Sequence, residues 1–189
     1  YTGEQSFLDW REQTYPAGTA SDTVQIGMAK SLGTNIAHAV LLDVASKLAA
    51  EKGDGPASAK YGAWAEGLRK SIDARFYLPD QEQYSTFSTT FLDPAPVHRY
   101  DLLGSAFAVL HDVAGADRAS GVVSGYPTLA KGAPVAWPQQ KDTAIYHNRA
   151  VWPFATAFWL RAARKVGNAR AADNALLSLM RGAAMNLSN

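Results

Sequence analysis

The stretch AVLLDVASKLAAEKGDGPASAKYGAWAEGLRKSI, residues 39–72, predicts two helices joined by a tight turn. Apolar residues recur every three or four positions on both sides of residues 52–56, which is the spacing of one helix face. The turn contains two glycines and a proline, and these residue types end helices. Because the turn is short, we expect the two helices to lie side by side and antiparallel.

The same periodicity predicts further helices along the chain. The predicted helices span about residues 34–52, 57–75, 98–113, 116–124, 149–166 and 168–185. Thr34 is the predicted N-cap of the first helix, and Gly115 is the predicted stop of the third. Residues 84–93, rich in Thr, Phe and Tyr, are predicted to be extended. The predicted class is therefore all-α, built from antiparallel helical hairpins with one short extended segment near 84–93.

The lengths of the connections indicate where a site would form. The turns at 53–56, 114–115 and 167 are short, whereas segments 1–33, 76–97 and 125–148 are long. If the helices alternate in direction, the short turns lie at one end of the fold and the long segments at the other. Long segments without helices of their own are more often functional than accidental. We therefore expect a composite surface at the long-segment end.

Composition excludes several classes of function. The chain has 189 residues, 47% of them hydrophobic, which is enough for one domain or a large part of one. A net charge of +1 gives no reason to expect nucleic acid or an anionic membrane as a partner. The absence of cysteine excludes disulfides and thiolate metal sites, and no apolar run reaches membrane-spanning length. Phosphate-loop, GxSxG and HExxH motifs are also absent, so we predict no metal and no cofactor.

The long segments combine aromatic rings with amide, imidazole and guanidinium groups. Flat rings stack on sugar rings while polar groups bond hydroxyls, so this mixture is typical of a site for a polar ligand. An ordinary proline-stiffened loop whose tryptophans enter the core, with His147 as a structural group at a helix start, remains the alternative. The predicted substrate-binding residues are Trp10, Arg11, Tyr15, Trp137, Gln139, Tyr146, His147, Asn148, Arg149 and Trp152.

Two carboxylates in the first segment, Asp9 and Glu12, are the candidate catalytic residues. Glycosidic bond cleavage uses one carboxylic acid to protonate the leaving oxygen and one carboxylate to activate water or attack the sugar. Asp9 lies beside Trp10, and an apolar neighbour raises a carboxyl pKa, which suits the acid. Glu12 lies beside Arg11, which favours the ionised form. The alternative is that one of these carboxylates caps a helix or pairs with Arg11 on the surface.

Two motifs carry a resemblance to a known family. GEQSFLDWREQTYP, residues 3–16, is similar to the Glu-Ser-Gly-Trp-Asp motif of trehalases and processing α-glucosidases, with one extra residue before Ser6. YHNRAVWPFATAFWL, residues 146–160, resembles their Gln-Trp-Asp-x-Pro-x-Gly-Trp segment, with His147 and Asn148 where trehalases have an acid. The chain thus resembles the six-hairpin, or (α/α)6-barrel, glycosidases, including bacterial relatives of that branch.

The resemblance implies an inverting, exo-acting glycoside hydrolase that cleaves an α-linked bond. Asp9 takes the position of the general acid, and Arg11 and Glu12 fix geometry or bond hydroxyls. Residues 1–189 correspond to about half of the toroid, the C-terminal-side portion of one catalytic domain, with the catalytic base beyond Asn189. The expected partners are an oligosaccharide or glycoside substrate and the remainder of the domain, and the expected location is periplasmic or secreted. An inactive helical carbohydrate-binding domain and a polysaccharide lyase of the α/α-toroid type are the alternatives.

Overall fold

In the computed structural model, residues 1–4, 7–8, 11–15, 19–89 and 95–187 are described. The helices are α1 (Arg11–Thr14), α2 (Thr23–Met28), α3 (Leu32–Glu51), α4 (Gly55–Phe76), α5 (Leu102–Leu110), α6 (Ala116–Gly125), α7 (Pro153–Lys165) and α8 (Ala169–Leu187). The strands are β1 (Lys30–Ser31), β2 (Tyr77–Leu78), β3 (Gln83–Tyr84), β4 (Phe87–Ser88), β5 (Tyr100–Asp101) and β6 (Ala136–Trp137). The predicted all-α class with a short extended segment is confirmed. Among the described residues, no helix has the length and apolar character needed to cross a membrane.

The 39–72 stretch forms an antiparallel hairpin of α3 and α4. Gly53 adopts a φ of 77°, which favours glycine, and the Asp54 side chain accepts a hydrogen bond from the backbone N–H of Ala57 to cap α4. Across the hairpin, the Ser46 hydroxyl of α3 donates to the Ser58 carbonyl of α4 at 2.8 Å. A second hairpin follows the same plan, because α7 packs along α8 across the Gly167 turn, where φ is 73°.

Three helices lie in a row, with α5 packed against both α3 and α7. Polar contacts join this row to α4: Arg69 of α4 pairs with Asp43 in the middle of α3 and donates to the His111 carbonyl just after α5. Lys165 at the end of α7 donates to the Leu110 carbonyl at 3.0 Å, so α5 and α7 end at the same side of the fold. Since α5 and α7 are parallel, their N-terminal ends share the opposite side.

Strand pairs fix where two of these helices begin. β1 pairs with β4 immediately before α3, and β5 pairs with β6 immediately before α5, both antiparallel. A third pair, β2 with β3, lies after α4. The predicted extended segment therefore contributes to two separate ladders, through β3 and β4. Residues 90–93 of that segment lie outside the described residues.

Several predicted helix boundaries were wrong. The N-cap position of α3 is Ser31 rather than Thr34, because β1 ends there. α5 begins at Leu102 rather than 98 because residues 100–101 form β5 and pair with β6. It ends at Leu110, ahead of the predicted stop at Gly115, and Asp112 shortly after it has a φ of 57°. α7 begins at Pro153 rather than 149, and proline is well suited to the first helical turn.

The core lies between the three-helix row and α4, α6 and α8. Among the described residues it contains 23 buried hydrophobic residues from these helices, the strand pairs and adjoining loops, including fully enclosed alanines on α5 and α7. At its edge, the Asp101 side chain caps α5 by accepting a hydrogen bond from the Gly104 N–H at 2.6 Å. A Cβ at Gly104 would lie 2.7 Å from Asp101 Oδ2 and 2.9 Å from Leu32 Cδ2, so this position requires glycine.

Gly104→Ala is therefore expected to lower the free energy of unfolding by about 1–3 kcal/mol, because the added methyl displaces a capping carboxylate and a core leucine. The measurement is chemical denaturation followed by circular dichroism. Gly67→Ala is the matched control: Gly67 lies inside α4, where an added Cβ meets nothing within 4 Å, so we expect a gain of about 0.5–1 kcal/mol. Equal effects of the two substitutions would contradict this account of Gly104.

Candidate functional site

The N-terminal ends of α3, α5 and α7 meet beneath residues 7–8. Phe7 and Leu8 line a cavity of about 70 Å³ together with Gly33 at the start of α3 and Gly104 at the start of α5. Phe7 also contacts Trp152, which precedes α7, edge to face with ring centroids 5.7 Å apart. The first segment of the chain thus lies at the end of the fold where the long segments gather.

Gln13 attaches this first segment to the loop before α7. Its side chain is 2% exposed. The Gln13 amide nitrogen donates to the carbonyls of Ala144 and Ile145 at 3.1 and 3.2 Å, and its oxygen accepts from the Asn148 N–H at 3.2 Å. A buried amide with all these bonds formed fixes both segments, because breaking any of them leaves a buried polar group without a partner.

Asn148 organises the same loop from inside. The Asn148 side-chain oxygen accepts from the Gln140 N–H at 2.7 Å, and its nitrogen donates to the carbonyls of Gln140 and Thr143 at 2.8 and 3.1 Å. The residue is fully enclosed. We predicted that Asn148 bonds a sugar, but its amide is engaged by the loop, so the structure gives it a positioning role.

An aromatic cluster forms next to this loop. The rings of His147 and Trp152 are stacked, 5.5 Å apart with an interplanar angle of 13°. Tyr146 meets Trp152 edge to face at 4.9 Å, and Phe7 meets Phe154 in the same way at 4.9 Å. Tyr146 and Phe154 are 43% and 44% exposed, whereas His147 is buried. The aromatic cluster (Phe7, Tyr146, His147, Trp152 and Phe154) therefore combines a rigid base with two rings open to solvent.

The backbone at Tyr146 is unusual. Its φ of 121° lies in the region that favours glycine, and a bulky residue rarely adopts it. Such conformations persist where surrounding contacts impose them, and they are concentrated at functional sites. Here the Tyr146 carbonyl accepts from the Ala150 N–H at 3.0 Å, and the Gln13 and Asn148 bonds hold the loop on both sides.

Some predicted residues belong to the first segment. Asp9 and Trp10, predicted as the general acid and an aromatic wall, lie outside the described residues. Glu12 lies in the short helix α1. Arg11 forms a two-bond ion pair with Glu4, from Nε at 2.5 Å and from Nη2 at 2.9 Å, so it joins α1 to the residues near the chain start.

Tyr15, predicted to bind substrate, is buried in a small apolar cluster. It is 4% exposed and packs on Phe87 with ring centroids 5.0 Å apart. Trp137 lies in β6, where it pairs with Tyr100 and is partly buried.

Arg149 and Gln139 lie on the loop itself. Arg149 is exposed and donates from Nη2 to the carbonyls of Gln140 and Lys141, so its guanidinium supports the loop. Gln139 is half-buried. Together with Tyr146, His147, Trp152 and Phe154, these residues lie in one continuous segment from 139 to 154.

Sequence reasoning missed four residues at this site: Phe7, Gln13, Asp101 and Phe154. The N-cap role of Asp101 could have been predicted from the sequence, since an aspartate before an apolar helical run is a typical N-cap. Its carboxyl is 5% exposed, and burial raises its pKa, opposed by hydrogen bonds from Gly104 N–H and the Thr86 hydroxyl and by nearby Arg99. Because the backbone of α5 engages this carboxyl, its role is to fix the helix start.

Metal ligands do not gather within the described residues. No group of three or more His, Asp or Glu side chains in that part of the chain could hold an ion.

Comparisons with known proteins support only the fold. No family model matches the chain, and no curated protein matches its sequence. Among solved structures, a chain described as a sialidase is similar with a TM-score of 0.59 and 15% identity. The match covers 74% of this chain and 14% of the sialidase chain. At this identity the similarity shows a shared helical arrangement, found there within a much longer protein.

Asn148→Asp is expected to lower the free energy of unfolding by about 1–3 kcal/mol, because an acceptor would replace the donor that faces two carbonyls. Chemical denaturation measures the loss, and faster proteolysis within residues 139–149 reports the released loop. Asn174→Asp is the control, since Asn174 is a partly exposed residue on α8, outside this loop; we expect a change under about 0.5 kcal/mol. Equal losses in both variants would contradict the assigned role of Asn148.

Proposed function

We propose that this chain forms part of the catalytic domain of a glycoside hydrolase of the six-hairpin, (α/α)6-barrel superfamily. The aromatic cluster carries the proposal. It presents Tyr146 and Phe154 at the end of the fold where α3, α5 and α7 begin, beside a loop rich in amide groups. Exposed rings next to placed polar groups are what a sugar site needs. The helical similarity to part of a sialidase agrees with a carbohydrate-related function.

In the proposed mechanism, Asp9 is the general acid that protonates the leaving oxygen of an α-linked glycoside. Arg11 and Glu12 fix its surroundings, consistent with the Arg11–Glu4 ion pair that holds α1 near the chain start. The reaction is inverting and exo-acting, so a separate carboxylate activates water on the opposite face of the sugar. We propose that this base comes from residues outside the chain.

The remainder of the toroid is the proposed partner of two apolar faces. On α3, Leu41, Val44 and Leu48 lie on one face and are 63%, 46% and 51% exposed. On α8, Leu177 and Met180 are 48% and 60% exposed. Patches of this kind mark surfaces that bind other protein segments. Further hairpins of the same domain would bury both faces.

Tyr146→Ala is expected to weaken binding of an α-linked disaccharide about three- to tenfold, equivalent to about 0.7–1.4 kcal/mol, because a stacking face is removed. Isothermal titration calorimetry with a panel that includes maltose, isomaltose and trehalose measures the loss. Trp64→Ala is the matched control: Trp64 is 52% exposed on α4 and contacts Tyr61 and Lys60, away from the aromatic cluster. Unchanged binding by the Tyr146 variant, or an equal loss by the Trp64 variant, would contradict the location of the site.

Asp9→Asn is expected to reduce hydrolysis of aryl α-glycosides about 10²–10⁴-fold, with little effect on substrate binding, because the proton donor is lost. The assay uses a longer polypeptide that carries this chain with its remaining hairpins, and NMR of the first product anomer tests inversion. Asp112→Asn is the control: Asp112 is paired with Lys165 at the opposite end of the fold. If the unmutated protein binds glycans but cleaves no glycosidic bond, the result would instead indicate a carbohydrate-binding domain. An ultraviolet-absorbing unsaturated product would indicate a lyase.

A further inference from the structure

Arg99 is a buried cation with an incomplete set of hydrogen bonds. Its side chain is 8% exposed, and Nη1 donates to the Gln13 carbonyl. Nε and Nη2 are enclosed and have no hydrogen-bond partner among the described residues. Burial lowers the pKa of Arg99, opposed by the charge of Asp101, whose own carboxyl is bonded to the start of α5. A buried guanidinium normally has a carboxylate or phosphate beside it, because an unpaired buried charge is costly.

The two available nitrogens have a specific geometry. Nε–H and Nη2–H lie along one edge of the planar guanidinium, and a carboxylate binds such an edge with two parallel hydrogen bonds. Arg11 shows this arrangement in the same molecule, with Nε and Nη2 donating to the two oxygens of Glu4 at 2.5 and 2.9 Å. At Arg99 the same edge is present and the acid is missing from the described residues.

A crevice lies against this arginine. It has a volume of about 140 Å³, and its polar lining comes from Thr14, His98, Arg99 and Gln140. None of the side chains that line it is acidic within the described residues. Thr14 is 4% exposed, and its hydroxyl also has no hydrogen-bond partner among the described residues. The crevice thus adjoins a buried guanidinium edge and a buried hydroxyl that both lack a partner among the described residues, and a carboxylate of a larger ligand would supply acceptors for both.

We propose that the Arg99–Thr14 crevice binds the carboxylate of an acidic sugar. The Nε–Nη2 edge of Arg99 receives both carboxylate oxygens, the Thr14 hydroxyl donates to one of them, and Tyr15 and Phe87 form the apolar wall. The crevice adjoins the loop of the proposed glycosidase site, since Gln140 lines it and also accepts from Asn148. This inference rests on the proposed glycoside hydrolase and specifies its substrate class as a carboxylated glycan.

The test compares sugars that differ only in the acid group. Isothermal titration calorimetry on the chain uses D-glucuronate and D-glucose, with inorganic phosphate as a simple anion. We expect D-glucuronate to bind about tenfold or more tightly than either of the others. Arg99→Lys, which keeps the charge but not the two-bond edge, should lower the affinity for glucuronate about tenfold and so remove the preference for glucuronate over glucose. Thr14→Val should cost about threefold. Arg69→Lys, at an arginine already paired with Asp43, should cost nothing.

The outcomes separate this inference from the proposed function. Equal affinity for D-glucuronate and D-glucose, or full glucuronate affinity in Arg99→Lys, overturns the carboxylate site even if neutral glycosides are hydrolysed. Phosphate binding as tight as glucuronate also overturns it in favour of a general anion site. Conversely, selective glucuronate binding together with no hydrolysis of any glycoside by the longer polypeptide supports the crevice and rejects the hydrolase. If Arg99→Lys does not fold, Thr14→Val and the ligand comparison still decide the question.

Discussion

The carboxamide of Gln13 is the interaction on which the candidate site depends. It is buried between two segments that are more than 130 residues apart in sequence, and it bonds the carbonyls of Ala144 and Ile145 and the N–H of Asn148. A neutral amide can serve both as donor and as acceptor, so it satisfies loop groups of either kind without introducing a buried charge. The first segment is therefore placed relative to the loop before α7 by these hydrogen bonds together with the apolar contacts of Phe7 and Leu8.

The helices beneath it give this network a fixed base. α3 and α5 each begin where a two-residue strand ends, so their first turns are tied to antiparallel partners. At the start of α5, the Asp101 carboxyl closes the helix end, and Gly104 leaves room for it. Helix ends that are capped and paired cannot fray easily. The candidate site thus lies on the fixed N-terminal ends of α3 and α5. The residues proposed to contact sugar come from the loop before α7 and from the residues near the chain start.

Periodicity predicted the long helices well, because α3, α4 and α8 each have an apolar pattern bounded by turn residues. It misjudged the starts of α5 and α7, since residues 100–101 form a strand and residues 149–152 form a turn and irregular backbone in this fold. The site was harder to predict for a different reason. Asn148 and Tyr146 are neighbours in one loop and were assigned one role, yet the former faces inward and the latter outward. Sequence gives the chemistry of an amide, whereas only the fold determines whether its bonds are already formed.

Arg99 connects the proposed sugar site to this network. Its Nη1 donates to the Gln13 carbonyl, while the Gln13 side chain bonds the loop before α7, so one residue contacts both the cation and the aromatic-cluster loop. A carboxylate on the Nε–Nη2 edge would compensate the buried charge and favour the ionised guanidinium that forms this bond. Occupation of the crevice would therefore also stabilise the loop that presents Tyr146. In this proposal, carboxylate binding at Arg99 and the order of the loop that carries Tyr146 are coupled through the Gln13 backbone carbonyl.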